Sequence, residues 1–475
     1  MLYFLFPKIR QVKIINYLRT IIDSIWTMIA IVVLGACANI FAIELPVYYI
    51  YVLIIVLTVL FCDDMLALLP IACVSYMTFS KNNNPLDLSQ TSYFITQSGK
   101  IQMTAIGVII AVFAISRIIF EIVTKKERRS IPKLLLGFVM LGSAYVIGGL
   151  FSPSYSGRTA FFGLVQILTL SFSYFVFYFT VDWKKVKSSY FATLFTLIGF
   201  LMVAEMLNLL VITDFFNSSI EFNRSLLYTG WGHYNNIGSI CILTIPAPFY
   251  FAMTKKNGWA FALIGILFYI NILLTQSRNA MVFGTLIVIT CGLATLFKAS
   301  LQEKPKLVAT YVFVLLFFSI IIIAGNNQIE LSFGSVLERG TDSSGRYQIY
   351  LDGLKQFITA PTFGLGFYEC QAGQWGIENL NDFLPSRYHN TYVQLLASCG
   401  IIGMLTYLYH RYETYKLFKN NYSAESIIMF ITLIAFILIS LLDCHFFNIG
   451  PGFLYSTILL LAEKTMPSSR KEIKV

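Results

Sequence analysis

Charged residues are scarce in this sequence: 12% of its 475 residues are Asp, Glu, Lys or Arg, against 57% hydrophobic ones. A soluble domain carries about 25% charged residues. A water-solvated globule is therefore excluded, and a mean hydropathy of +0.71 demands lipid. Histidine is rarer still, with four copies. The eight cysteines form no Cys-x-x-Cys and no Cys/His cluster, so neither a zinc site nor a disulfide framework is supported. No Asp-x-Asp metal motif occurs, Asp63-Asp64 being the nearest approach. Internal repeats and a soluble domain are also lacking.

What the sequence does have is long apolar runs, each near the roughly 20 residues that a membrane span needs. They predict an all-α, polytopic transmembrane helix bundle of about 12–14 spans. The runs lie near 20–43, 46–62, 64–79, 101–120, 134–151, 159–181, 190–212, 237–254, 259–275, 279–297, 307–324, 391–409, 427–446 and 449–462. Residues 1–475 then form one integral membrane domain. The net charge of +10 does not call for a nucleic acid, because the basic residues sit in the turns between runs and read as topology signals. With the N-terminus inside, inner segments hold 24 Lys and Arg and outer segments nine. Six of those nine are Arg, against six of the 24 inside. An outer surface that keeps arginine hints at a phosphate-bearing ligand, because the guanidinium fork pairs bidentately with phosphate. An equally simple account is that lysine serves the inner topology signal.

One outer segment, residues 325–390, is far longer than the other loops and is expected to form a helical cap on the outer face. Between Ser344 and Ile358 the residues Tyr347, Tyr350, Leu351, Leu354, Phe357 and Ile358 recur at helical spacing until Pro361, predicting an amphipathic helix. A Gly364-Leu365-Gly366 turn follows. Three patches can carry chemistry. Ser277-Arg278-Asn279 sits between two spans with almost no loop. Arg346 opens the amphipathic helix, where free N–H groups favour an anion. His389-Asn390 lies where the long segment re-enters the membrane, and histidine is the commonest general base. Taken singly, each has a plain structural alternative: a snorkelling charge, a solvated basic residue, a helix cap. Outer aromatics such as Trp231, Tyr347, Tyr368, Trp375 and Tyr388 can stack on sugars, though most aromatics in such a chain are interfacial or packing residues.

In this order, a Ser-Arg step, Arg346, a Pro-x-x-Gly-x-Gly turn, His389-Asn390 and a Gly400-Ile401-Ile402-Gly403 span resemble the core of the bacterial O-antigen polymerase and ligase family. Leu227-Tyr228-Thr229-Gly230-Trp231-Gly232-His233-Tyr234-Asn235-Asn236-Ile237-Gly238 is similar to the family's Gly-rich, Asn-containing segment before a span. The likeness covers about residues 224–408. It implies a fold of the GT-C type of membrane glycosyltransferase, acting without metal or other cofactor on a glycan carried by undecaprenyl pyrophosphate. The resemblance assigns Arg278 and Arg346 to the pyrophosphate and His389 to activation of the acceptor hydroxyl. Arg224, His233, Asn236, Asn390 and Tyr347 are further candidates for substrate binding. His233, an addition to the family pattern, competes with His389 as the base.

The implied function is polymerisation of lipid-linked repeat units into a surface polysaccharide at the outer face of a bacterial plasma membrane. The alternative is ligation of the glycan to lipid A core, wall polymer or protein. Implied partners are the lipid-linked donor, the glycan acceptor, the membrane, a chain-length regulator and a flippase. Polymerase is favoured over ligase by the long first half and the extra spans. A transporter or flippase is the competing class. It would place ionisable residues within spans, and the sequence offers chiefly Arg117, Glu205 and Asp443. Asp443 with His445 then reads either as a proton relay or as a local hydrogen-bonded pair.

Overall fold

A computed structural model describes residues 12–79, 96–124, 130–153, 155–212, 234–323, 346–367 and 388–466. Arg224, Trp231, His233, Tyr368 and Trp375 lie outside the described residues, as do residues 325–345 and 368–387 of the expected outer cap. Among the described residues all regular structure is helical. In chain order the α-helices are α1 (Lys13–Ile22), α2 (Ile25–Ile40), α3 (Glu44–Phe61), α4 (Leu69–Thr78), α5 (Gln97–Thr124), α6 (Leu135–Val146), α7 (Gly157–Thr180), α8 (Tyr190–Ile212) and α9 (Tyr234–Thr244). They continue as α10 (Pro246–Thr254), α11 (Gly258–Leu274), α12 (Arg278–Lys298), α13 (Lys304–Ile323), α14 (Arg346–Thr359), α15 (Thr391–Phe418), α16 (Ala424–Ile439) and α17 (Ile449–Thr465).

Among the described residues seven stretches are, by length and composition, long and apolar enough to cross a membrane, namely α3, α5, α7, α8, the α9–α10 pair, α12 and α15. An eighth is the α1–α2 pair, bent by 63°. The architecture is thus polytopic and helical. The expected 12–14 spans are approached only if shorter apolar helices such as α4, α6, α11 and α16 also cross. The first expected span breaks at Asp23-Ser24, and α1 ahead of it is amphipathic, with Ile14, Tyr17 and Ile21 exposed.

The chain divides into two compact units. The first has the bounds Met1–Ser130, Phe175–Glu338 and Ile427–Thr432, and the second Ile131–Tyr174, Arg339–Ser426 and Leu433–Val475. In the first unit the intramembrane charges are satisfied by protein. Arg117 of α5, fully buried, pairs with Glu121 at 2.6 Å. It also donates to the carbonyls of Val59, Cys62 and Asp63 at 2.9–3.1 Å, fastening α5 to the end of α3. Glu205 accepts from Asn39 at 2.7 Å. These are ways of meeting the cost of a charge in lipid, and they account for two of the residues that had kept a transporter open.

In the second unit the central device is a break in α15. Gly400 has φ +62° and ψ −157°, a left-handed conformation that favours glycine. A Cβ there would lie 2.5 Å from the Thr362 carbonyl group. Tyr392 before the break and Tyr407 after it have ring centroids 5.6 Å apart, whereas a straight helix would separate them by about 22 Å along its axis. The expected straight span over 391–409 is therefore a folded helix. Its exposed backbone groups are met by the Pro361–Gly366 turn. Leu365 N donates to Ala397 O and Gly366 N to Ser398 O, both at 2.9 Å, while Ile401 N and Ile402 N donate to Pro361 O and Thr362 O at 2.8 and 3.2 Å. Gly364 and Gly366 also have positive φ, +68° and +83°.

Beyond the break α15 runs on to Phe418. His410 and Arg411, expected to open an inner loop, are instead helical. His410 is fully buried, its ring 4.6 Å from that of Phe138. The Arg411 guanidinium lies over the rings of Tyr407, Phe446 and Tyr455 at 4.7–4.9 Å.

Candidate active site

Within the second unit α14 packs along the first half of α15. Gly353 faces Val393 and Tyr388, and Tyr388, Val393 and Ala397 form a buried cluster with Ile349, Tyr350 and Leu365 around it. Arg346 is the first residue of α14 and His389 lies just ahead of α15, so this packing brings both to the connection between α16 and α17. Arg346 Nη1 donates to Leu442 O at 2.9 Å. Asn390 caps α15, its Oδ1 accepting from Tyr392 N and Val393 N at 2.9 and 3.1 Å. Its Nδ2 donates to Leu441 O at 2.8 Å. Thr391 N donates to Ser440 O at 3.0 Å. One short segment, Ser440–Asp443, thus receives the arginine, the cap and the start of α15.

The cap that His389 might have supplied is supplied by Asn390. His389 itself has φ +45°, a left-handed conformation that costs a non-glycine residue about 1–2 kcal/mol, and its carbonyl accepts from Tyr350 Oη at 3.2 Å. Its Nδ1 stands 3.5 Å from Asp443 Oδ1, an ion-pair distance at the outer limit of hydrogen bonding. The ring is 39% exposed and the carboxylate side chain 12%. Asp443 also accepts from Cys444 N at 2.7 Å. Burial pushes its carboxyl up, but the hydrogen bond and charge from His389, the charge of His445 and the Cys444 amide outweigh it, holding the carboxyl below the usual carboxylate range. Burial keeps the neighbouring His445 below the usual imidazole value, against the pull of Asp443.

Asp443 is the member of this cluster that the sequence reading did not assign to it. Its acidity next to His445 was visible, but nothing in the sequence ties it to His389, more than 50 positions away. Tyr347 is 67% exposed beside Arg346. Tyr388 is fully buried and hydrogen-bonded to Gln356, so it packs and is closed to a sugar. Among the described residues no group of three or more His, Cys, Asp or Glu could hold a metal ion.

Arg278 belongs to the first unit and opens α12. The turn before it is built from buried Thr275, Gln276 and Ser277, with Gln276 at φ +51°. Ser277 Oγ donates to Asn235 Oδ1 at 3.1 Å. A Cβ at Gly238 would come within 2.7 Å of Ala280 Cβ. The end of the Gly/Asn segment, residues 235–238, and the Ser-Arg step, separate patches in the sequence, therefore form one small structure. Asn235 holds it, whereas the predicted Asn236 reaches Tyr76 Oη at 3.3 Å. The spacing of Asn235, Gly238 and Ser239 on one helical face was the available signal.

Residues 249–408 match the family model described as O-antigen ligase. The match spans about a third of the chain. That match supports the O-antigen polymerase and ligase family, and with it a glycosyl-transferring function of ligase or polymerase type. Arg278, Arg346 and His389 fall inside the matched residues, and Asp443 lies beyond their end. No curated protein matches the chain.

Proposed function

We propose that the chain is a membrane glycosyltransferase that polymerises oligosaccharide units carried by undecaprenyl pyrophosphate at the outer face of a bacterial plasma membrane. The observation that carries this reading is the placing of His389 against Asp443 with Arg346 on the adjoining carbonyl. His389 is the base: with Nδ1 turned to the carboxylate, Nε2 takes the proton of the acceptor hydroxyl as that oxygen attacks the anomeric carbon. The bond from that carbon to the pyrophosphate oxygen breaks, and undecaprenyl pyrophosphate leaves with the electron pair. Asp443, ionised, fixes the ring and stabilises the imidazolium that forms. Arg346 and Arg278 meet the negative charge growing on the leaving group, which is when fixed cations help most. The acid/base couple and the arginines come from this chain, and the chemistry as written needs no metal.

Purified protein given lipid-linked repeat units, with EDTA present, tests the proposal. Polymer from wild type and none from His389→Ala is the expected result, and no glycosyl transfer by wild type would refute it. Deleting the gene separates the two acceptor classes. Loss of a polymerase leaves single repeat units in the envelope, whereas loss of a ligase leaves long polymer still on lipid.

A further inference from the structure

The second unit holds a cavity of about 540 Å³ away from His389, lined by Leu150, Phe151, Ser152, Pro153, Thr362 and Phe363 among others. That volume is in the range of small-molecule sites, and no charged side chain among the described residues lines it. Phe151 is 85% exposed and has φ +68°, so a bulky side chain occupies a backbone conformation that glycine would fill without strain. At this exposure, burial of the ring does little to offset the strain. The ring is nevertheless held in place. Gly149 N donates to Phe363 O at 2.8 Å and Ser152 N to Gly149 O at 2.9 Å, tying the α6–α7 connection to the Pro361–Gly366 turn. Phe151 and Phe363 stand edge to face, with centroids 5.5 Å apart and planes at 66°.

We infer that this cavity is a subsite for an uncharged sugar of the glycan chain, an inference that rests on the glycosyl-transfer reading above. The apolar C–H face of a pyranose fits a phenyl face, whose π cloud is negative, and the lining includes the hydroxyl-bearing residues Ser152, Thr359 and Thr362, whose oxygens can accept from sugar hydroxyls. A ring that merely anchored the protein in lipid would need neither a cavity nor hydroxyl-bearing residues lining it. Thr359 and Arg346 are the two ends of α14, so the cavity lies about 20 Å along that helix from the arginine. It holds sugars already joined, and so retains a growing chain between additions.

The test uses full-length protein in nanodiscs with the Phe151→Ala, Phe363→Ala and double variants, and Phe151→Tyr as the variant that keeps a ring. The probe is the producing cell's own surface glycan, freed from lipid by mild acid and sorted by length. In the double variant the affinity for long fractions should fall about ten-fold and products should shorten. Joining of two single repeat units should stay within about two-fold of wild type, and Phe151→Tyr should behave as wild type. Unchanged product length and affinity in the double variant, with wild type active, would overturn the subsite alone. An equal loss on single units would overturn it too, by showing a general defect. Wild type that joins no units at all would instead refute the glycosyl-transfer reading. Fluorescence of Phe151→Trp quenched by brominated lipid and insensitive to glycan would make an acyl chain the occupant.

Discussion

Replacing Asp443 by Asn removes a charge while keeping the shape, because the amide oxygen can still accept from Cys444 N. Two unit charges 3.5 Å apart interact by about 4–5 kcal/mol at an effective dielectric constant of 20. The His389 ring is 39% exposed, so solvent screens roughly half of this. About 2 kcal/mol of stabilisation of the imidazolium is left, which corresponds to about 30-fold in turnover. The assay is single-turnover transfer from a lipid-linked donor at saturating acceptor, with donor binding measured separately. The expected outcome is a kcat lowered about 30-fold with donor Kd unchanged, and partial recovery in Asp443→Glu. A kcat within two-fold of wild type in Asp443→Asn would refute the carboxylate–imidazole couple, and a matching loss of donor affinity would show that Asp443 serves binding.

His389→Ala should lose turnover by about 10²- to 10⁴-fold, and His389→Asn should do no better, because Asn390 already caps α15; turnover assays with donor-binding controls check both. Arg278→Lys and Arg346→Lys keep charge and lose the bidentate fork, so each should weaken donor binding and rate together, and full activity in the doubly substituted protein would contradict pyrophosphate pairing. The depressed Asp443 carboxyl contributes stability that is complete above its ordinary value of about 4 and fades as pH falls through its lower folded value. The unfolding midpoint of wild type measured against pH should therefore begin to approach that of Asp443→Asn as pH falls below about 4 and meet it only below the folded value. Gly400→Ala combines about 1–2 kcal/mol of left-handed strain with loss of two hydrogen bonds worth about 0.5–1.5 kcal/mol each, so thermal unfolding should show a loss of about 2–5 kcal/mol. Cysteine labelling should find position 352 reachable from outside and positions 184 and 255 only from inside.

The long apolar runs that became α3, α7, α8 and α12 were legible because lipid imposes both length and composition on a span. The amphipathic helix expected over Ser344–Ile358 corresponds to α14, since its apolar residues repeat at helical spacing and Pro361 ends them. Backbone reversals were not legible. The run through Asp23-Ser24 and the one through Gly400 stay apolar on both sides, and hydropathy carries no information about direction. The Gly364 and Gly366 pattern was visible as a turn, but its purpose, closing the backbone of a broken helix, depends on residues that meet only in three dimensions. The same holds for Asp443: a carboxylate near a span end has many uses, and the one here is set by the packing of α14 on α15.

The fastening of the Pro361–Gly366 turn to the break in α15 also sets the register of two helices. Four backbone hydrogen bonds join the turn to residues on either side of Gly400, and the turn follows directly on α14, whose first residue is Arg346. The arginine is therefore indexed to α15 by main-chain geometry, which side-chain substitutions along either helix leave standing.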